Sequence, residues 1–165
     1  MLIEVPIAFR IAHEEDLPAL EWMGLFTRQR EIIAATFEAQ RQGEALMLLA
    51  LANGFPVGQA WLDFDRQGSL DCPRIWAIRI FPPFQGAGLG TRLMAEVEAV
   101  AAARGAWAVE LGVEWDNEGA RRFYRRLGYE PVGAEREEVR YTFKGCPMAM
   151  EVDQQILRKD LQTEG

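Results

Sequence analysis

Apolar positions in this chain recur with two periods, and the change from one to the other marks its elements. Residues 7–11 alternate as a short strand. Residues 45–52 and 55–65 are two apolar runs joined by Asn53-Gly54. That dipeptide accepts positive φ at both central positions of a two-residue turn, so the runs predict a β-hairpin. Residues 74–81, RIWAIRIF, are rich in β-branched and aromatic side chains. They set Ile75 and Ala77 against Trp76, Ile78 and Ile80, the alternation of a largely buried strand. Pro82 and Pro83 end it, because neither can donate to a ladder. Residues 106–114 predict a further strand. The tail suggests two more, at 139–144 and 148–157, in a hairpin or long loop.

Helical spacing governs the stretches between. Leu17, Leu20 and Met23 form a stripe beside Pro18, with Glu14, Glu15 and Asp16 in the first turn. Residues 28–42 place Ile32, Ile33, Thr36, Phe37 and Gln40 on one side, and Gly43 stops them. Leu89, Leu93, Val97 and Val100 or Ala101 predict a longer helix closed by Gly105. A short helix opens at residues 115–118 and ends at Leu127-Gly128. Ala120, Phe123, Tyr124 and Leu127 are its inner face, and Arg121, Arg122, Arg125 and Arg126 its outer one. The strand at 106–114 follows a helical crossover, so it should lie parallel to that at 74–81. Residues 66–73 read as a polar, turn-rich connection.

Length and composition set the frame. The 165 residues suit one domain spanning 1–165. No run of eighteen or more apolar residues predicts a membrane span. The first residues lack a basic region and carry Glu4, unlike a secretory leader, which points to the cytoplasm. Cys72 and Cys146 each precede a proline and read as reduced, structural thiols. No His/Cys spacing suggests a metal. His13, the sole histidine, falls in a polar turn and reads as a surface residue. The net charge of −7 argues against a general nucleic-acid binder. The charge is uneven: residues 74–128 carry +2 and the remainder −9. An anionic ligand on the middle segment and a cationic one near the flanks would suit this.

The candidate chemistry lies at Gln85, Gly86, Ala87, Gly88, Leu89, Gly90 and Thr91, between a strand and a helix. Glycines remove the Cβ atoms that keep a ligand off the main chain. Consecutive N–H groups then converge at a helix N-terminus, a cradle for phosphate or diphosphate. The glycines at 86, 88 and 90 do not make a G-x-G-x-x-G dinucleotide fingerprint. Thr91-Arg92 after Gly90 lacks the lysine of a P-loop. With the strand before it, Gln85-x-x-Gly88-x-Gly90 resembles motif A of the GNAT superfamily of N-acetyltransferases. Asn117-x-x-Ala120-x-x-Phe123-Tyr124-x-x-Leu127-Gly128-Tyr129 resembles motif B of the same family, at the family's distance. Together the two motifs span roughly residues 74–130.

The resemblance implies an α/β (α+β) fold. Its sheet is mixed, mostly antiparallel and twisted, with about six or seven strands, helices on both faces and one splayed parallel pair. It implies acetyl-CoA as co-substrate, with no metal, and transfer of the acetyl group to a primary amine by direct attack. The pantetheine arm would pair with the backbone of Ile78, Arg79 and Ile80, and the diphosphate would take N–H groups from Gly86 to Thr91. Asn117 and Ala120 would flank the arm, although Asn117 equally suits a helix N-cap. Tyr124 holds the family's tyrosine position, as general acid toward the sulfur or as a packed aromatic that positions it. Several family members place a basic glutamate where this chain has Gly112. Glu114 and Glu110 flank that position, and Glu114, nearer the strand end, is the better candidate base; Asp116 and Asp71 are weaker ones.

For the acceptor, the resemblance points to residues 17–42 and 132–157. Trp22, Met23, Phe26 and Phe37 would line its pocket or be plain core. The acidic flanks fit a polyamine, an aminoglycoside-like amine or a basic peptide terminus. The resemblance further suggests a homodimer, with neither nucleic acid nor membrane as partner. Two other classes stay open: a non-catalytic acyl-CoA sensor, and a nucleotide-binding α/β domain.

Overall fold

In the computed structural model, which describes residues 3–64 and 72–161, the chain runs β1 (Ile7–Ile11), α1 (Arg30–Arg41), β2 (Ala45–Ala52), β3 (Phe55–Asp63), β4 (Arg74–Ile80), α2 (Leu89–Ala103), β5 (Ala108–Glu114), α3 (Glu118–Arg126), β6 (Glu130–Phe143) and β7 (Cys146–Asp160). The strands form one seven-stranded sheet in the order β1-β2-β3-β4-β5-β7-β6. Among the described residues only β4 and β5 are parallel. The other pairs are antiparallel, with β7 returning between β5 and β6. This is the mixed, mostly antiparallel sheet that the resemblance implies. No helix of the described residues is long and apolar enough to cross a membrane.

Every residue of β2 is buried, so the sheet is covered on both faces. Leu46, Leu48, Ala50 and Ala52 join a core with Leu89, Leu93, Met94 and Val97 of α2, against which Phe123 and Tyr124 of α3 also pack. Met47, Leu49 and Leu51 join a second core with Ile33 of α1, Leu20 and Trp61. The hairpin between β2 and β3 turns through Asn53 and Gly54 at φ 49° and 80°, as their chemistry predicts. Asp65, the last residue of the predicted strand at 55–65, and most of the predicted connection at 66–73 lie outside the described residues.

Three expectations are corrected. First, the stripe beside Pro18 is a 3-10 helix, Glu14–Glu21. The Asp16 carboxylate accepts the His13 N–H at 2.7 Å and two guanidinium N–H groups of Arg10 at 2.7 and 3.0 Å. Trp22, Met23 and Gly24 then all take positive φ, which no helix tolerates, and Met23 is swung out to 79% exposure.

Second, the terminal strands are far longer than 139–144 and 148–157. They join through a tight turn at Lys144 and Gly145, φ 50° and 76°. The part missed is chiefly residues 130–138 of β6, polar and mostly exposed, which are held by ladder bonds to β7, so the hydrophobic pattern undercounts them.

Third, the alternation in β4 changes phase. Trp61 lies opposite Trp76, and Gln59 lies opposite Arg79, so β4 carries one extra residue there. Ala77 takes φ 52° at this bulge. Ile75, Ile78 and Ile80 consequently share the α2 face. Trp76, Ala77 and Arg79 turn to the α1 face, where Trp76 meets Trp61 edge-on, Ala77 packs against the second core and Arg79 stacks on Phe26.

Candidate active site

The site begins where two parallel strands part. β4 and β5 pair only at Arg74–Glu110 and Ile75–Leu111. Beyond that, β4 stays bound to β3 as far as Ile80, and β5 stays bound to β7 as far as Glu114. The edges of β4 and β5 that face each other are therefore left without strand partners, and a fork opens. Arg74, 5% exposed, sits at its base. Its guanidinium donates to Glu110 at 2.7 Å and to Glu135 at 2.9 Å, and Arg158 reaches Glu110 at 3.3 Å. The cluster ties β4, β5, β6 and β7 together, joining residues too far apart in sequence to be read as a group.

The Gly-rich turn follows β4 directly. Gly86 and Gly88 both have φ 80°, a backbone state closed to most side chains, and Gly88 caps α2. Gly90 serves packing instead, since a Cβ there would stand 3.4 Å from Cζ of Phe123. The N–H groups of residues 86 to 91 have no backbone acceptor among the described residues. The turn is exposed apart from buried Leu89 and half-buried Gly90. The Gln85 side chain donates to the Ile80 carbonyl at 3.0 Å, which closes the end of β4 onto the turn.

A cavity of about 610 Å³ opens along the fork and continues to the α1 face. Ile78, Arg79, Gly112, Glu114 and Tyr124 line it, with Ile32 from α1 and Val139, Val152 and Gln154 from the terminal hairpin. That hairpin reaches across to the turn just before α1, where Arg28 lies over the Phe143 ring at 4.6 Å.

Tyr124 is half-buried between Phe123 and Tyr129, and its hydroxyl makes no hydrogen bond among the described residues. Burial pushes its pKa up to about 12, so at neutral pH it holds its proton and can donate it. Tyr129, the other motif aromatic, is fully buried and donates to Glu98 at 3.0 Å, a core role. Asn117 caps α3, its Oδ1 accepting the Ala120 N–H at 3.1 Å. Ala120 is half-buried behind it.

The acidic candidates separate. Glu114 is exposed and lines the cavity. Glu110 is engaged at the fork base: burial pushes its carboxyl up, but the hydrogen bonds and charges of Arg74 and Arg158 outweigh this and hold it below its ordinary value. Asp116 is exposed at the end of β5, and Asp71 lies outside the described residues. A Cβ at Gly112 would collide with the Gln154 carboxamide. Sequence reading had no signal for Gln154, whose place depends on the register of β7.

Of the four aromatic and apolar residues expected near the acceptor, Trp22 is buried and donates its Nε1–H to the Pro56 carbonyl at 2.8 Å. Phe37 packs against the second core, and Met23 points to solvent. Phe26 borders the cavity through Arg79, which stacks over its ring at 4.4 Å.

The fold and site are those of an α/β domain whose one parallel pair among the described residues forks open beside a glycine turn at a helix N-terminus. The model of the acetyltransferase (GNAT) family matches residues 10–129, and the chain belongs to that family. It is 38% identical over 81 residues to an uncharacterised N-acetyltransferase of Methanocaldococcus jannaschii. That match covers 47% of this chain and 36% of the relative, so it spans about a third of the relative's length. Among solved structures, an N-acetyltransferase from Staphylococcus aureus superposes with a TM-score of 0.74 at 19% identity, covering 95% of this chain and 99% of that one. The Salmonella typhimurium protein yncA, solved with its cofactor acetyl-CoA, superposes with a TM-score of 0.72 at 18% identity, covering 97% and 96%. At those identities the structural likeness speaks for the fold.

Proposed function

We propose that residues 1–165 form one acetyltransferase domain that transfers the acetyl group of acetyl-CoA to a primary amine. The observation that carries this reading is the cavity in the strand fork, lined by Ile78, Arg79 and Tyr124, with β4 leading on from it into the Gly86–Thr91 turn at the start of α2.

The residues present fit acetyl-CoA. The Gly86–Thr91 N–H groups, at the positive end of α2, would hold the diphosphate. Backbone groups of Ile78, Arg79 and Ile80 would hold the pantetheine amides along the open edge of β4, with Gln85 fixing that edge to the turn. Asn117 and Ala120 would border the arm from α3. Bound there, acetyl-CoA supplies an acyl group activated as a thioester. A β4 N–H near Ile78 polarises the acyl carbonyl without needing a particular side chain. Tyr124 Oη, protonated at neutral pH as phenols are, gives its proton to the leaving sulfur. Glu114, on the cavity wall, takes the proton that the amine nitrogen loses.

The test is calorimetry with acetyl-CoA, followed by release of free thiol across a panel of amines. Binding with amine-dependent thiol release supports the proposal; no binding ends it. A non-catalytic acyl-CoA sensor is the second reading, favoured by the absence of a carboxylate at Gly112. Binding without thiol release on any amine would select it.

A further inference from the structure

Three arginines line the cavity, and two of them are paired. Arg74 is held by Glu110 and Glu135, and Arg140 by Glu138 at 2.7 Å. Arg79 is different. Its guanidinium makes no ion pair and no hydrogen bond among the described residues, and its one polar-type contact is the stack on Phe26. It is nonetheless half-buried, and burial pushes its pKa below the ordinary value. A partly desolvated cation that lines a cavity without a counter-charge is poised to gain from an anion that enters it.

We infer that Arg79 is the anion-recognition residue of the acceptor site, and that the acceptor is a primary amine that also carries a carboxylate. The inference rests on the acetyl-transfer reading above. Three observations support it.

The bulge at Ala77 directs the Arg79 side chain to the α1 face, away from Ile78 and Ile80 on the α2 face. Arg79 is thus offered to the acceptor, while the neighbouring backbone is left for the cofactor arm.

The stack on Phe26 occupies one face of the guanidinium and leaves its N–H edge unbonded. That fork of donors matches a carboxylate in two-point geometry.

Gln59 lies directly opposite Arg79 on the same face of the sheet and is fully buried. Its Oε1 accepts the Trp61 Nε1–H at 2.9 Å. An indole can only donate, so the amide orientation is forced and Nε2 is left as a buried donor without a partner. The residue paired with Arg79 across the sheet thus presents a donor and offers the guanidinium no counter-charge.

The same cavity holds Glu114 and Tyr124, where the amine must react. It also offers the exposed edge of Trp76 and Ile32 as an apolar wall. A small amino acid with an apolar side chain meets all three surfaces. The acidic flanks, taken as a whole, suggested a cationic acceptor; the local arrangement adds a requirement for a negative group.

The experiment pairs each amino acid with its decarboxylated amine, phenylalanine with phenethylamine and leucine with isoamylamine. It measures thiol release as kcat/KM for the wild type, Arg79→Met and Arg79→Lys. The quantity read is the ratio of acid to amine within each protein, so general losses and the differing basicity of the nitrogens cancel between variants. The wild type is expected to favour the acid by about tenfold or more. In Arg79→Met that ratio collapses toward one through a raised KM for the acid, and Arg79→Lys restores part of it. A wild-type ratio near one, or a preference unchanged in Arg79→Met, overturns the inference while leaving acetyl transfer standing. Acetyl-CoA binding without thiol release on any amine overturns acetyl transfer itself, and the inference falls with it.

Discussion

The carboxamide of Gln154 lies where a side chain on Gly112 would project. The two residues belong to neighbouring strands, β5 and β7, whose register sets Gly112 opposite Ile156 and Glu114 opposite Gln154. Gln154 therefore fills the position at which several family members carry a glutamate.

This predicts a coupled pair. Gly112→Glu alone forces Gln154 aside and should cost about 1–3 kcal/mol of stability. Adding Gln154→Ala should recover most of that loss, with a coupling energy of about 1 kcal/mol or more in a double-mutant cycle read by denaturant unfolding. Additive effects would mean that the two side chains do not compete for one space.

Tyr124→Phe removes the proton donor and keeps the ring. Turnover is expected to fall by about a hundredfold, with the acetyl-CoA dissociation constant nearly unchanged. Because burial raises the phenol to about 12, its ionisation should not limit the wild-type rate at neutral or mildly alkaline pH. A pH–rate profile with a falling alkaline limb near the ordinary tyrosine value, absent in the phenylalanine variant, would contradict this.

The glycines of the turn should separate by cause. Gly88→Ala places a Cβ on a φ of 80° and should cost about 1–2 kcal/mol, while also weakening acetyl-CoA binding by distorting the cradle. Gly90→Ala meets only the Phe123 ring at 3.4 Å, so its effect should appear mainly in the melting temperature. Paired measurements of melting temperature and acetyl-CoA affinity check both.

Acid should loosen the base of the fork. The Glu110 carboxyl is held below its ordinary value, about 4.5, in the folded chain. A carboxyl depressed on folding contributes stability that is fully present above the unfolded value and is lost as pH falls through the folded one. The unfolding free energy should therefore decline below about pH 4.5, and Glu110→Gln should flatten part of that decline. Arg74→Met takes the guanidinium from both Glu110 and Glu135 and should cost about 3 kcal/mol at neutral pH. A neutral-pH loss below 1 kcal/mol (roughly that of an exposed pair) would show that the cluster is not a buried one in solution.

Most of the fold's inventory was legible because local rules govern it. Asn53-Gly54 turns a hairpin by its own backbone preferences, Gly105 closes α2, and Leu89, Leu93 and Val97 mark one helix face without reference to any partner. The glycine turn and the Asn117-to-Tyr129 pattern carried the family in the same way, since each is a short stretch whose backbone chemistry is complete in itself. Residues 130–138 of β6 were not legible, because β7 and not a core holds them.

What sequence alone determined, then, is most of the set of elements, the glycine turn and the place of the tyrosine on α3. The tertiary structure decided three things that depend on pairing between distant segments. The bulge at Ala77 turned Arg79 to the α1 face, a change of phase that no period-two reading of β4 can register. The register of β7 laid Gln154 over Gly112. The meeting of β4, β5, β6 and β7 buried Arg74 among carboxylates 36 and 61 residues further along the chain. The physical reason is common to all three: strand register and side-chain facing are properties of a pair of strands, and a single strand's sequence does not contain its partner.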